Sequence, residues 1–124
     1  MSLFENVLLR LLDITDLNDV LTILQKYLFN KTKYYDLGLN LGLLAPTLDA
    51  IRANNANSVN NVADYLRGCL SDWLCKADDV ESKGGPTYYT LIAALRAIGE
   101  NAVADGINRE SKRERSVITL LLFP

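Results

Sequence analysis

Histidine is missing from all 124 residues of the chain. Its absence removes the Ser-His-Asp triad, the Cys-His pair, histidine-containing zinc sites and any histidine pH switch, and with them most common hydrolytic chemistry. Cysteine is nearly as scarce: Cys69 and Cys75 are too few for a disulfide scaffold or a structural metal site. Six residues apart on one helix, their Cα atoms would lie about 9 Å from each other, beyond disulfide reach. They read as two buried free thiols in a reducing compartment. No apolar run approaches the roughly 20 residues that span a bilayer. The stretch from Leu3 to Ile14 carries Glu5, Arg10 and Asp13 and lacks the basic head and small-residue cleavage site of an export signal. The expectation is a soluble, cytoplasmic chain.

What is present suits one globular domain: 49% apolar and 23% charged residues, with three prolines and seven glycines. At this length a compact domain buries roughly two-thirds of its unfolded surface. The net charge of −2 is unevenly spread. Residues 1–108 hold nine Lys/Arg against thirteen Asp/Glu, whereas Arg109, Lys112, Arg113 and Arg115 outnumber Glu110 and Glu114 in the tail. A folded face that binds nucleic acid carries a basic stripe, and this mildly acidic body offers none.

Apolar spacing is helical nearly throughout. Leu3, Phe4, Val7, Leu8, Leu11 and Leu12 mark a leading helix, and Thr15 or Asp16 caps a second with the stripe Leu17, Val20, Leu21, Leu24 and Leu28. Asn30 to Lys33 reads as a polar loop. Next, Leu37, Leu39, Leu41 and Leu43 alternate with Gly38, Asn40 and Gly42 as a half-buried strand would. No second segment of that period lies in the body to pair with it, so the expectation is helix, with Gly38 and Gly42 on one face where a neighbour approaches closely. Pro46 opens a short helix carrying Leu48 and Ile51 inward, ended at Asn54 to Asn57. Ser58 caps the central segment, striped by Val59, Val62, Ala63, Leu66, Leu70, Trp73 and Leu74. After a charged loop from Asp78 to Gly85, Pro86 opens a helix with Tyr88, Leu91, Ile92, Leu95 and Ile98 inward, which Gly99 stops. Asn101 caps a last helix that buries Val103 and Ile107. From Asp16 onward that makes six short helices, each too short to persist without packing on the others.

Three stretches resemble a known family. They are Lys33-Tyr34-Tyr35-Asp36-Leu37-Gly38-Leu39-Asn40-Leu41-Gly42-Leu43, Leu66-Arg67-Gly68-Cys69-Leu70-Ser71-Asp72-Trp73-Leu74, and Pro86-Thr87-Tyr88-Tyr89-Thr90-Leu91-Ile92-Ala93-Ala94-Leu95-Arg96. The first is similar to the second helix of a death domain, an aromatic followed by Leu and Gly at fixed offsets. The second resembles that family's fourth helix, ending in Trp-Leu, and the third its fifth helix, which often opens with Pro-Thr-Trp. With their spacings they cover about residues 16–108. The chain departs from the pattern at Tyr34 and Tyr88, where the family usually has tryptophan. Tyrosine fills that volume when its hydroxyl finds a partner or reaches solvent. The nearest flavour is that of metazoan death domains attached to ankyrin-repeat or NF-κB-like proteins.

The resemblance implies an all-α, six-helix antiparallel bundle over residues 15–108, with an N-terminal helical extension over 1–14 and a basic, then apolar, tail over 109–124. The expected core is Leu24, Tyr34, Leu37, Leu41, Leu48, Ile51, Leu66, Leu70, Trp73, Tyr88, Leu91 and Leu95. The implied function is non-enzymatic: an adaptor in apoptotic or innate-immune signalling that recruits a like domain, self or heterotypic, with no cofactor or metal. In that family the second and third helices of one subunit meet the first and fourth of the next. On this chain those faces offer Asp36, Asn40, Asp49 and Arg52 on one side, and Asp19, Lys26, Asp64, Arg67 and Lys76 on the other.

Other features have structural explanations. Trp73 falls on the apolar stripe of the central helix, which marks it as core. Asp16 and Asp19 suit a helix start, and Asp78-Asp79-Val80-Glu81 lacks the alternating ligands and turn glycine of a calcium loop. Gly84-Gly85-Pro86-Thr87 lacks the Gly-Lys-Ser/Thr of a phosphate loop. The alternative function is binding of anionic lipid or nucleic acid through Arg109 to Arg115. Ser116 to Phe123 is apolar and β-prone without internal charge, an aggregation hazard if exposed.

Overall fold

The computed structural model describes residues 8–110. Among these residues there are six α-helices and no strand: α1 Leu17–Lys26, α2 Tyr34–Leu41, α3 Ala45–Asn54, α4 Asn61–Leu74, α5 Tyr88–Ala97 and α6 over 101–110. Short 3-10 turns at Ile14–Asp16, Lys31–Lys33 and Glu81–Lys83 punctuate them. The architecture is a helical bundle around one core, with Trp73, Leu37, Leu48, Leu70, Leu91 and Leu95 fully buried.

The ambiguous leucine-glycine segment is helical because burial follows a period of three to four. Tyr34, Leu37, Gly38 and Leu41 face inward while Leu39 is 40% exposed. Of the two glycines expected to share one face, Gly38 does allow close approach: a Cβ there would stand 2.7 Å from Leu48 Cδ2 and 2.9 Å from Cys69 Sγ. Gly42 has another role. It lies past the end of α2 at φ 107°, and a Cβ on it would stand 2.8 Å from the Asp79 backbone, which donates its N–H to the Gly42 carbonyl at 3.0 Å.

Four helices end alike: a residue of positive φ is followed by one whose N–H reaches the carbonyl five residues back. The bonds are Phe29 to Leu24 at 2.9 Å, Leu43 to Gly38 at 3.0 Å, Ala77 to Asp72 at 3.0 Å and Glu100 to Leu95 at 2.8 Å. The left-handed residues are Leu28, Gly42, Lys76 and Gly99. This corrects the expected stripe of α1. The helix stops at Lys26, Leu28 turns out to 85% exposure, and Phe29 enters the core instead.

Helix starts also differ from expectation. Asp16 holds the N-cap position of α1, but its side chain makes no capping bond there; Asp13 caps the preceding turn, its carboxylate accepting from the Thr15 N–H while the Asp16 carboxylate accepts from the Asp13 N–H, both at 2.9 Å. Leu12 is buried and donates its N–H to the Pro86 carbonyl at 2.7 Å, so the core starts before residue 15. The leading helix ends at residue 9, and its earlier part lies outside the described residues. Asn60, not Ser58, precedes α4, and Val59 is 97% exposed, outside the helical stripe. Thr87 caps α5 reciprocally with Thr90. Inside the charged loop, Val80 is fully buried.

Eleven of the twelve expected core residues are buried, and Tyr88 is the exception, half-buried against the core. It sits in the first position of α5 and packs, half-buried, against the core. Cys69 is buried as expected, but Cys75 is exposed, because α4 ends at Leu74 and the chain turns outward.

Candidate functional site

The polar residues singled out in the sequence fall into two groups, one on α2 and α3 and one on α1 and α4. On the α2/α3 face, Tyr34 buries its ring against Tyr65, with centroids 5.3 Å apart, and its hydroxyl accepts from Arg52 Nε at 3.0 Å. This is the partner that the hydroxyl of a buried tyrosine needs. The Arg52 guanidinium lies 5.6 Å from the Tyr35 ring centroid, and the Tyr35 hydroxyl donates to Asp49 Oδ1 at 3.2 Å. Desolvation first, then the bond to Asp49, pushes the Tyr35 phenol above its ordinary value; the Tyr34 hydroxyl raises that of Arg52. Asn40 donates its side-chain amide to the Asp36 carbonyl at 2.9 Å, leaving the exposed Asp36 carboxylate without an ion pair among the described residues.

The α1/α4 face holds a groove of about 240 Å³. Its apolar lining is Leu21, Leu24, Phe29, Ala63 and Leu66, and its polar lining includes Gln25, Lys31, Asn60, Asp64 and Arg67. Asp64 is held by the Ser58 hydroxyl. Lys31 and Arg67 have no ion pair among the described residues, so the groove carries two uncommitted cations.

Of the nine residues expected to face partners, several are engaged within the domain. Lys26 pairs with Glu110, and Lys76, beyond the end of α4, pairs with Glu81 at 3.5 Å. Asp49 and Arg52 belong to the tyrosine cluster. Asp19, Asp36 and Arg67 remain uncommitted among the described residues. Sequence reading did not single out Lys31, Leu28 or Val59. Lys31 lay in a stretch read as a polar loop, and the two aliphatics were assigned to stripes that the helix ends exclude.

The Cys69 thiol is pushed up to about 12, chiefly by burial and secondarily by the Asp72 charge, which keeps it protonated and unreactive. Among the described residues, no helix is long and apolar enough to cross a membrane and no group of three or more His, Cys, Asp or Glu could hold a metal ion. The basic segment of the alternative function and the apolar segment after it lie beyond residue 110, outside the described residues, apart from Arg109 and Glu110. No family model, curated protein or solved structure matches the chain.

Proposed function

We propose that this chain is a non-enzymatic protein–protein interaction module of the death-domain type, which assembles with like domains in cytoplasmic signalling. The observation that carries this reading is charge of both signs with no ion pair among the described residues: Asp36 on α2, Asp19 on α1, and Lys31 with Arg67 at the α1/α4 groove. In support, the three resembling stretches fall on α2, α4 and α5 of a six-helix bundle. A contact between unlike faces does not close by twofold symmetry and propagates head to tail. Charge complementarity governs such encounters through association rate and register. Light scattering over a range of protein and salt concentrations tests the reading. Self-association that weakens as salt approaches 1 M, where the Debye length is about 3 Å, is the expected outcome. A chain that stays monomeric at every concentration and salt would contradict homotypic assembly.

A further inference from the structure

The last described helix ends beside the α1/α4 groove. Glu110, the final residue of α6, pairs with Lys26 in the last turn of α1, and Gly106 lets α6 rest directly on the Tyr27 ring. The chain therefore leaves the bundle at the end of α1 that supplies Gln25 and Phe29 to the groove lining. Leu24, Phe29 and Leu66 in that lining are buried, whereas Leu21 and Ala63 are only half-buried. The side-chain amides of Gln25 and Asn60, also in the lining, make no hydrogen bond among the described residues. Such amides both donate and accept, so they can pair with the main-chain groups of a segment laid in the groove. At about 240 Å³ the groove exceeds the roughly 150 Å³ of an apolar cavity able to take benzene, which leaves room for aliphatic side chains.

We propose that residues 117–123 dock in the α1/α4 groove of their own chain. Val117, Ile118, Leu120, Leu121, Leu122 and Phe123, interrupted only by Thr119, match its apolar lining, and the run carries no charge that burial would penalise. Residues 111–116 before it are polar and reach at most about 20 Å at roughly 3.3 Å per residue, enough to turn from Glu110 into the groove. A tether this short gives the segment an effective concentration of about millimolar at its own groove, which favours it over the segment of a second copy. Docking also hides a β-prone apolar run that would aggregate in water. The uncharged segment takes the apolar lining and leaves Lys31 and Arg67 to meet a partner, so the inference goes beyond the head-to-tail reading and does not depend on it.

The test is paramagnetic broadening of amide signals in the full 124-residue chain carrying Cys75→Ser and a nitroxide on Thr119→Cys. Cys69 is buried and stays unlabelled. The signals of Phe29, Ala63 and Leu66 are expected to lose most of their intensity relative to the reduced label. They should do so equally at about 1 M salt, because apolar docking is not screened. Adding Leu120→Asp and Leu122→Asp, outside the core of the described bundle, should restore them, with a melting curve to show that the domain still folds. Groove signals that stay sharp in the labelled chain overturn the docking, and so does equal broadening with both aspartates in place, which is tethering alone. Broadening seen only when labelled chain is mixed with unlabelled, isotope-enriched chain overturns the own-chain occupant. The head-to-tail reading is judged separately, by mass and its salt dependence, so either can fail without the other.

Discussion

Gly106, in the middle of α6, lies so close to Tyr27 that an added Cβ would stand 2.4 Å from the ring. Alanine is the better helix former by about 1 kcal/mol, yet overpacking of this kind costs about 1–3 kcal/mol. Gly106→Ala is accordingly expected to lower stability in urea unfolding, against the helix-propensity trend. Trp73 is fully buried, and its indole N–H has no acceptor among the described residues. Trp73→Ala leaves a large void and costs about 3–5 kcal/mol. Trp73→Phe costs less, since it keeps most of the ring and removes a donor that is unpaired in the fold. Circular dichroism checks both, because Trp73 is the only tryptophan. Its burial was legible from its place on a helical stripe. The exposure of Leu28 was not, since spacing alone continues the α1 stripe through a residue that the backbone turns outward.

Helix α3 is capped from a distance. Leu44, the residue before it, has no capping side chain, and its N–H donates instead to Asp78 Oδ2 at 2.9 Å. That bond, and a second from the Thr47 side chain, hold the Asp78 carboxyl below its ordinary value. A carboxylate depressed in the fold contributes stability that is complete above its unfolded value, about 4, and is lost as pH falls through the folded value. Asp72 is shifted upward by burial and then by the Asp78 charge, so protonating it in acid favours the fold and partly offsets that loss. Asp78→Asn should lower stability at neutral pH and flatten its decline below about pH 4, as read from melting curves across pH. Periodicity placed five of the six helices, and the lack of a pairing strand placed α2, but their ends depend on such remote partners. Asp78 reaches α3 from 34 residues away, and Val80 beside it is buried because the Asp79 backbone rests on Gly42. A run of charged residues gives no hint of that from composition.

At the scale of the whole molecule, the distribution of committed and uncommitted charge sets how copies would meet. Lys26 is held by Glu110 and Asp49 by Tyr35, so reversing them would disturb the domain itself. Asp36, Lys31 and Arg67 have no such ties among the described residues. Each exposed pair is worth about 0–1 kcal/mol, so whole faces, more than single residues, govern binding. The resemblance only proposes which helices form such faces, whereas which charges stay free depends on bonds that the fold reveals. The most direct test mixes two variants, Asp36→Lys and the double variant Lys31→Glu with Arg67→Glu, and measures mass by sedimentation velocity. Each alone is predicted to self-associate more weakly than wild type and to keep its wild-type Tm. Mixed, they are predicted to associate more strongly than either alone, through the unaltered face of each and through the two reversed faces, which are again opposite in sign, with a contact weakened by salt. Association undiminished in each variant alone and indifferent to salt would contradict the account.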